Sequence, residues 1–115
     1  MREYIALITG ELETWTCTVR ANNRNEAVGQ IRELYPTQQH TLPLLVEDVR
    51  ETAKVMTQRM DADWDKYHWV RETHTDDELI AGFIIPAQGN LTGALLAAKR
   101  HTDLLNEAYT NTNYY

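Results

Sequence analysis

Between Thr14 and Arg20 the chain alternates without a break, with Trp15, Cys17 and Val19 on one side and Thr14, Thr16 and Thr18 on the other. A period of two sends successive side chains to opposite faces of a strand. The stretch therefore reads as a sheet element with an apolar row on a core and a threonine row in water, the pattern of an antiparallel sheet covered on one side. Residues 2–9 precede it across Gly10-Glu11, so 2–9 and 12–20 read as a hairpin. Asn23 then offers an N-cap and Glu26 stands three residues on, where each side chain can satisfy a backbone N–H that the first helical turn leaves unpaired. Ala27, Ile31 and Leu34 follow at helical spacing. Pro36 ends the helix over about 24–35, since it lacks an N–H and disfavours helix in the residue before it.

Beyond this unit the pattern predicts a short strand over Thr41–Val46, with Pro43 placing it at a sheet edge or strand start. Val49, Ala53, Met56 and Met60 then predict a helix over about 47–60, with Glu47, Asp48 and Glu51 gathered at its positive dipole end. Tyr67–Glu72 and Leu79–Ile85 can pair as a second hairpin. Thr75-Asp-Asp-Glu78 is also a capping box that can start a helix, but the β-branched and aromatic content of Gly82-Phe83-Ile84-Ile85 favours strand there. Leu91, Leu95, Ala98, Leu105 and Tyr109, with Leu104 and Ala108 beside them, predict a last helix over about 90–109, followed by a frayed tail over 110–115. The expected fold class is α+β: an antiparallel sheet from the N-terminal hairpin and a second hairpin near 67–85, packed with three helices. At 115 residues this makes a single domain, 1–115, large enough to bury a core without disulfides or metal.

Charge is concentrated in one place. Residues 61–78 hold seven acids and two bases, a net of −5 in a chain whose total is −6, while 1–60 (eight acids, seven bases) and 79–115 (two and two) are close to neutral. No Lys/Arg cluster exists beyond Lys99-Arg100, which disfavours direct nucleic-acid binding, because phosphate contacts depend on such clusters. The longest apolar runs, Leu42–Val46 and Leu79–Ile85, fall far short of the ~20 residues that cross a bilayer, so no membrane span is expected. A single cysteine and an N-terminus that opens directly into strand-like sequence point to the cytoplasm.

Asp61, Asp63 and Asp65 alternate, and Glu72 stands eleven positions after Asp61, a spacing that resembles the calcium loop of EF-hand proteins over this stretch. Lys66 occupies the position where that family has glycine for a sharp turn, and His68 stands where an apolar residue pairs two loops. The alternative is an acidic, solvated connector. His40, His68, His74 and His101 show no zinc spacing, and Cys17 lies on the apolar row as a small buried hydrophobe. No nucleophile–base set or glycine-rich phosphate loop marks a catalytic centre, so the chain reads as non-enzymatic and without a cofactor.

Trp64, Tyr67 and Trp69 sit inside the charged window, where apolar surface is least expected. Either they pin a connector onto the core, or they form a binding patch in which rings give affinity and carboxylates select a basic partner. The second reading assigns Asp61, Asp63, Trp64, Asp65, Tyr67, Trp69, Asp76 and Asp77 to a partner-binding segment. The first third of the chain, with Trp15-Thr-Cys-Thr-Val-Arg-Ala21, Asn-Asn-Arg-Asn-Glu-Ala27 and Leu34-Tyr35-Pro36, resembles the strand-strand-helix opening of small uncharacterised phage and bacterial proteins. That resemblance implies a phage-type accessory protein that engages or inhibits a host or virion protein through a basic surface. A virion structural or assembly component, self-associating as a homo-oligomer or with neighbours, and a Ca²⁺-binding regulatory module are the alternatives.

Overall fold

The computed structural model describes residues 1–112, with side chains as far as Tyr109. The elements in chain order are β1 (Arg2–Thr9), β2 (Thr14–Ala21), α1 (Arg24–Leu34), β3 (Gln39–His40), β4 (Leu44–Leu45), α2 (Val46–Ala62), α3 (Trp64–Thr73), α4 (Asp76–Leu79), a π-helical segment (Ile80–Ile84) and α5 (Leu91–Thr112). The fold is α+β, with one antiparallel sheet.

β1 is the middle of that sheet. The hairpin pairs it with β2 in unbroken register from Arg2↔Ala21 to Thr9↔Thr14. Its other edge is shared by β3, through Ile8↔His40 and Thr9↔Gln39, and by β4, through Tyr4↔Leu45 and Ile5↔Leu44. Between them Thr41 continues the ladder: Leu7 N–H donates to its hydroxyl at 2.9 Å, and Thr41 N–H donates to the Leu7 carbonyl at 3.0 Å. The third strand expected over 41–46 is thus split around Leu42-Pro43, with β4 starting just after the proline, where a missing N–H costs no ladder bond.

Tyr4, Ala6, Ile8, Cys17, Val19 and Ala21 line one sheet face and bury against Ala27 and Ile31 of α1. The cap of α1 forms as its sequence dictates, with Glu26 N–H donating to Asn23 Oδ1 and Asn22 N–H donating to Glu26 Oε2, each at 2.9 Å. On the opposite face Ile5 and Leu7 pack against a second, larger core, built from Val49, Ala53, Met56 and Met60 of α2 with Val70, Leu79, Ile80, Phe83, Ile84, Ile85, Ala94 and Ala98. One-sided coverage is therefore corrected, because β1 is covered on both faces. Thr14, Thr16 and Thr18 stay exposed, as their alternation implies.

The second hairpin expected near 67–85 does not form. Tyr67–Glu72 lies in α3, where Tyr67, Val70 and His74 turn inward at helical spacing, with Asp65 in the first turn and Arg71 in the last, where the helix dipole favours each. Downstream, the capping box closes with Glu78 N–H donating to the Thr75 hydroxyl at 3.2 Å and Thr75 N–H to Glu78 Oε1 at 3.1 Å. This cap nucleates helix in the segment whose β-branched content favoured strand. Burial then sets the turn width. Phe83, Ile84 and Ile85 are all interior, and the bond from Ile85 N–H to the Ile80 carbonyl at 2.8 Å opens a π turn, which narrows the arc those three consecutive residues span. Gln88 and Gly89, at φ 57° and 81°, turn the chain into α5.

α5 buries Ala94, Ala98 and Thr102 at intervals of four, whereas Leu104, Leu105 and Tyr109 of the expected apolar stripe are exposed. It runs through Thr112, past the Tyr109 end expected from sequence, and the remainder of the expected frayed tail lies outside the described residues. Among the described residues no helix is long and apolar enough to cross a membrane.

Two stability outcomes follow. The Glu78 carboxyl is held below its ordinary value of 4.5, first by the Thr75 backbone N–H, then by the Thr75 hydroxyl. Its contribution to folding is therefore complete above pH 4.5 and is lost as pH falls through the lower folded-state value. Thermal melts across that range should show a weaker acid dependence for Glu78→Gln than for the wild type. The Thr102 hydroxyl is fully buried with no hydrogen-bond partner among the described residues, and an unpaired buried hydroxyl costs about 1–3 kcal/mol. Thr102→Val should raise Tm, measured by calorimetry.

Candidate functional site

The acidic window does not form a loop. α2 ends at Ala62, Asp63 breaks the helix at φ −132°, ψ 61°, and α3 begins at Trp64. Asp63 N–H closes α2 on the Met60 carbonyl at 3.2 Å, and its own carbonyl accepts from Lys66 N–H at 3.1 Å to open α3. With one residue between two helices, the twelve-residue ligand loop of the calcium pattern is not built. Asp61 stands on α2, and Asp65 and Glu72 on α3. Among the described residues no group of three or more His, Cys, Asp or Glu side chains is placed to hold a metal ion.

The bend is braced by charge. Arg71 donates from Nε to Asp61 Oδ1 at 2.9 Å across it, and Lys66 Nζ lies 3.2 Å from Asp63 Oδ2. Both bridges face solvent, where a pair contributes about 0.2–1 kcal/mol. Asp65, Glu72, Asp76, Asp77 and Glu78 form no ion pair among the described residues, so a strong negative field survives the pairing.

α3 lies antiparallel to α5, with His74 near His101 (ring centroids 6.0 Å apart) and Trp69 near Asn106. Trp69 is half-buried, and its indole N–H donates to Asn106 Oδ1 at 2.6 Å. Trp64, by contrast, leaves 45% of its surface in water at the start of α3. The rings form a continuous row from Trp64 to His68 (6.4 Å), His68 to Trp69 (5.4 Å) and Trp69 to Tyr109 (6.5 Å). Leu105 sits one turn before Tyr109 on α5. Leu104, Leu105 and Tyr109 are 58%, 36% and 64% exposed. Trp64, Trp69, Leu105 and Tyr109 thus share a ring-rich face with Asp63 and Asp65 on either side of Trp64 in the chain, while Leu104, two residues after buried Thr102, lies on the outer side of α5.

Of the residues assigned from sequence, Asp61, Asp63, Trp64, Asp65 and Trp69 thus meet at the α2–α3 bend and the α3–α5 face. Tyr67 departs from them, packing half-buried against the helical core. Asp76 and Asp77 stand on α4, beyond the ten residues of α3, about 15 Å of helix. Asp77 instead lines a cleft of about 360 Å³ between the threonine face of the sheet and α2, with Glu3, Thr16, Thr18, Val49 and Arg50. Sequence reasoning missed Leu104, Leu105, Asn106 and Tyr109 as surface. The signal was an apolar sector of α5 wider than one core contact fills, since Leu104 and Leu105 cannot both point inward with Ala98 and Thr102. Cys17 is buried as expected, and desolvation holds its thiol above the ordinary value of 9.0, which suppresses the reactive thiolate.

No protein-family model, curated protein or solved structure matches this chain. The three indoles differ in exposure, with Trp15 and Trp69 half-buried and Trp64 open. Acrylamide quenching of tryptophan fluorescence should therefore show one readily quenched component, absent in Trp64→Phe and preserved in Trp15→Phe.

Proposed function

We propose that the chain is a non-enzymatic protein-binding module that engages a basic surface of a partner through the α3–α5 face. The observation that carries this reading is a half-exposed Trp64 continuous with exposed Tyr109 and Leu105, set beside Asp61, Asp63 and Asp65. Exposed rings on a helix cost free energy in an isolated protein and supply anchor contacts in a complex. Asp65 forms no ion pair among the described residues, and the solvent-facing bridges of Asp61 to Arg71 and Asp63 to Lys66 can exchange for a partner's Lys or Arg, so the cluster speeds encounter and rejects acidic competitors. The face is built on two packed helices, so little ordering entropy is lost when it docks.

Trp64, Trp69, Leu105 and Tyr109 form the proposed contact, Asp61, Asp63 and Asp65 steer, and Asp76 and Asp77 act only as part of the longer-range field. The resemblance read in residues 1–36 implies a host or virion protein as the partner, and the single cysteine, Cys17, implies a cytoplasmic setting.

Binding to a partner isolated by affinity capture tests the reading by calorimetry at low and high salt. Asn at positions 61, 63 and 65 together should weaken binding at least about tenfold, ~1.4 kcal/mol, and flatten its salt dependence, with circular dichroism unchanged. Trp64→Ala should weaken binding without altering the salt slope. Unchanged affinity in both variants removes the face from the interface.

A further inference from the structure

We propose that two copies of this chain pair through the outer edges of β2, antiparallel about a two-fold axis at Thr16, so that their sheets join into one. Among the described residues β2 has β1 on one side and no strand on the other. The parity of the hairpin shows what that free edge offers. Gly10 N–H donates to the Glu13 carbonyl at 2.9 Å, which makes Ile8/Trp15, Ala6/Cys17 and Tyr4/Val19 the hydrogen-bonded pairs. The residues between them, Thr14, Thr16, Thr18 and Arg20, point their N–H and C=O groups away from β1. Two bonds fit this parity independently: the Arg20 carbonyl accepts from Gln30 Nε2 at 2.9 Å, and on the far edge of β1 Leu7 bonds outward to Thr41. The outward groups of Thr14, Thr16 and Thr18 have no partner among the described residues.

Natural edges are blunted by proline, lysine, a bulge or a covering element. Thr14–Ala21 has no proline and no lysine, and its register with β1 is unbroken. Facing residues of antiparallel strands share a face, so a two-fold axis normal to the sheet must pass through a residue. Centred on Thr16, it sets Thr16 against Thr16 and Thr14 against Thr18 of the second copy. Every outward group of the three threonines is then used, and Arg20, already capped by Gln30, is left out. Axes at Cys17 or Thr18 would need Arg20.

A second copy also fits by charge. Glu11 and Glu13 precede β2 and Arg20 lies near its other end, all exposed. Pairing about Thr16 sets Arg20, which faces Glu3 within its own hairpin, opposite Leu12 of the second copy and between its Glu11 and Glu13 along the chain, so opposite charges neighbour each other at each end of the shared edge, twice by symmetry. Between them only threonines meet on the face that borders the cleft beneath α2, a favourable cross-strand pair. This interface is separate from the α3–α5 face.

Sedimentation equilibrium of the full chain over a wide concentration range should show reversible conversion from 13.3 kDa to twice that mass. The N–H of Thr16 serves no bond among the described residues, so Thr16→Pro keeps the β1 ladder while removing a central bond from each copy. Thr16→Lys sets two ammonium groups against each other on the axis, while a single chain has Thr16 exposed and accommodates it. Each should raise the dimer Kd at least about tenfold. If Thr16→Pro fails to fold, Thr16→Lys decides alone. A wild type that stays at the single-chain mass overturns the proposal, as does a dimer unaffected by Thr16→Lys.

Discussion

The apolar stripe of α2 is the contact on which the rest of the molecule is built. Val49, Ala53, Met56 and Met60 are almost fully buried, and they meet Ile5, Leu7 and Leu44 of the sheet on one side and the π segment and α5 on the other. Each such large side chain taken out of water contributes about 1.5–3 kcal/mol. Met56 and Met60, unbranched and polarisable, fill the irregular space between a twisted sheet and three helices. α1 stands apart from this contact, packed on the opposite sheet face as part of a smaller core. The two cores share β1, whose alternate residues face each of them.

From that stripe the break at Asp63 directs α3. The bend lays α3 along α5, so that Val70 goes inward and the indoles lie along the α3–α5 seam, one bonded to Asn106 and the other half-open. Asp65 lies in the first turn of α3, where the dipole favours an acid, whereas Asp61 lies in the last turn of α2, where it does not, and Arg71 and Lys66 offset the repulsion of Asp61 and Asp63. An acidic surface with aromatic content is thus a consequence of the junction as well as its proposed use.

The N-terminal unit was legible because its signals agree at every level: period two in β2, a cap at Asn23, helical spacing through Ile31 and a proline stop. The segment 67–85 was misread as a hairpin because its signals conflict. Phe83-Ile84-Ile85 has strand propensity, yet the Thr75–Glu78 capping box and burial among helices overrode it, and a π turn takes up the excess of adjacent apolar residues. The acidic neighbours of Trp64 left its ring either pinned to the core or exposed, and the structure shows it 45% exposed. Leu105 and Tyr109 were not legible as surface, because an apolar stripe on one helix does not say which part of it a neighbour covers. The edge strand expected over 41–46 contains β4, but β3 at Gln39–His40 and the split at Leu42-Pro43 were not legible, since Thr41 carries the ladder with its side chain across a gap no backbone pattern marks.

The face formed by α3 and α5 is the surface that should meet another protein. A photo-crosslinking residue at position 64, compared with one at Leu34, which is exposed on α1 across the sheet, tests this most directly in an extract of the organism that encodes the chain. Position 64 should yield a discrete crosslinked band that excess wild-type chain and added salt both abolish, with no such band from position 34. Crosslinking from position 34 alone, or a band at position 64 that ignores both competitors, would contradict the assignment of this face.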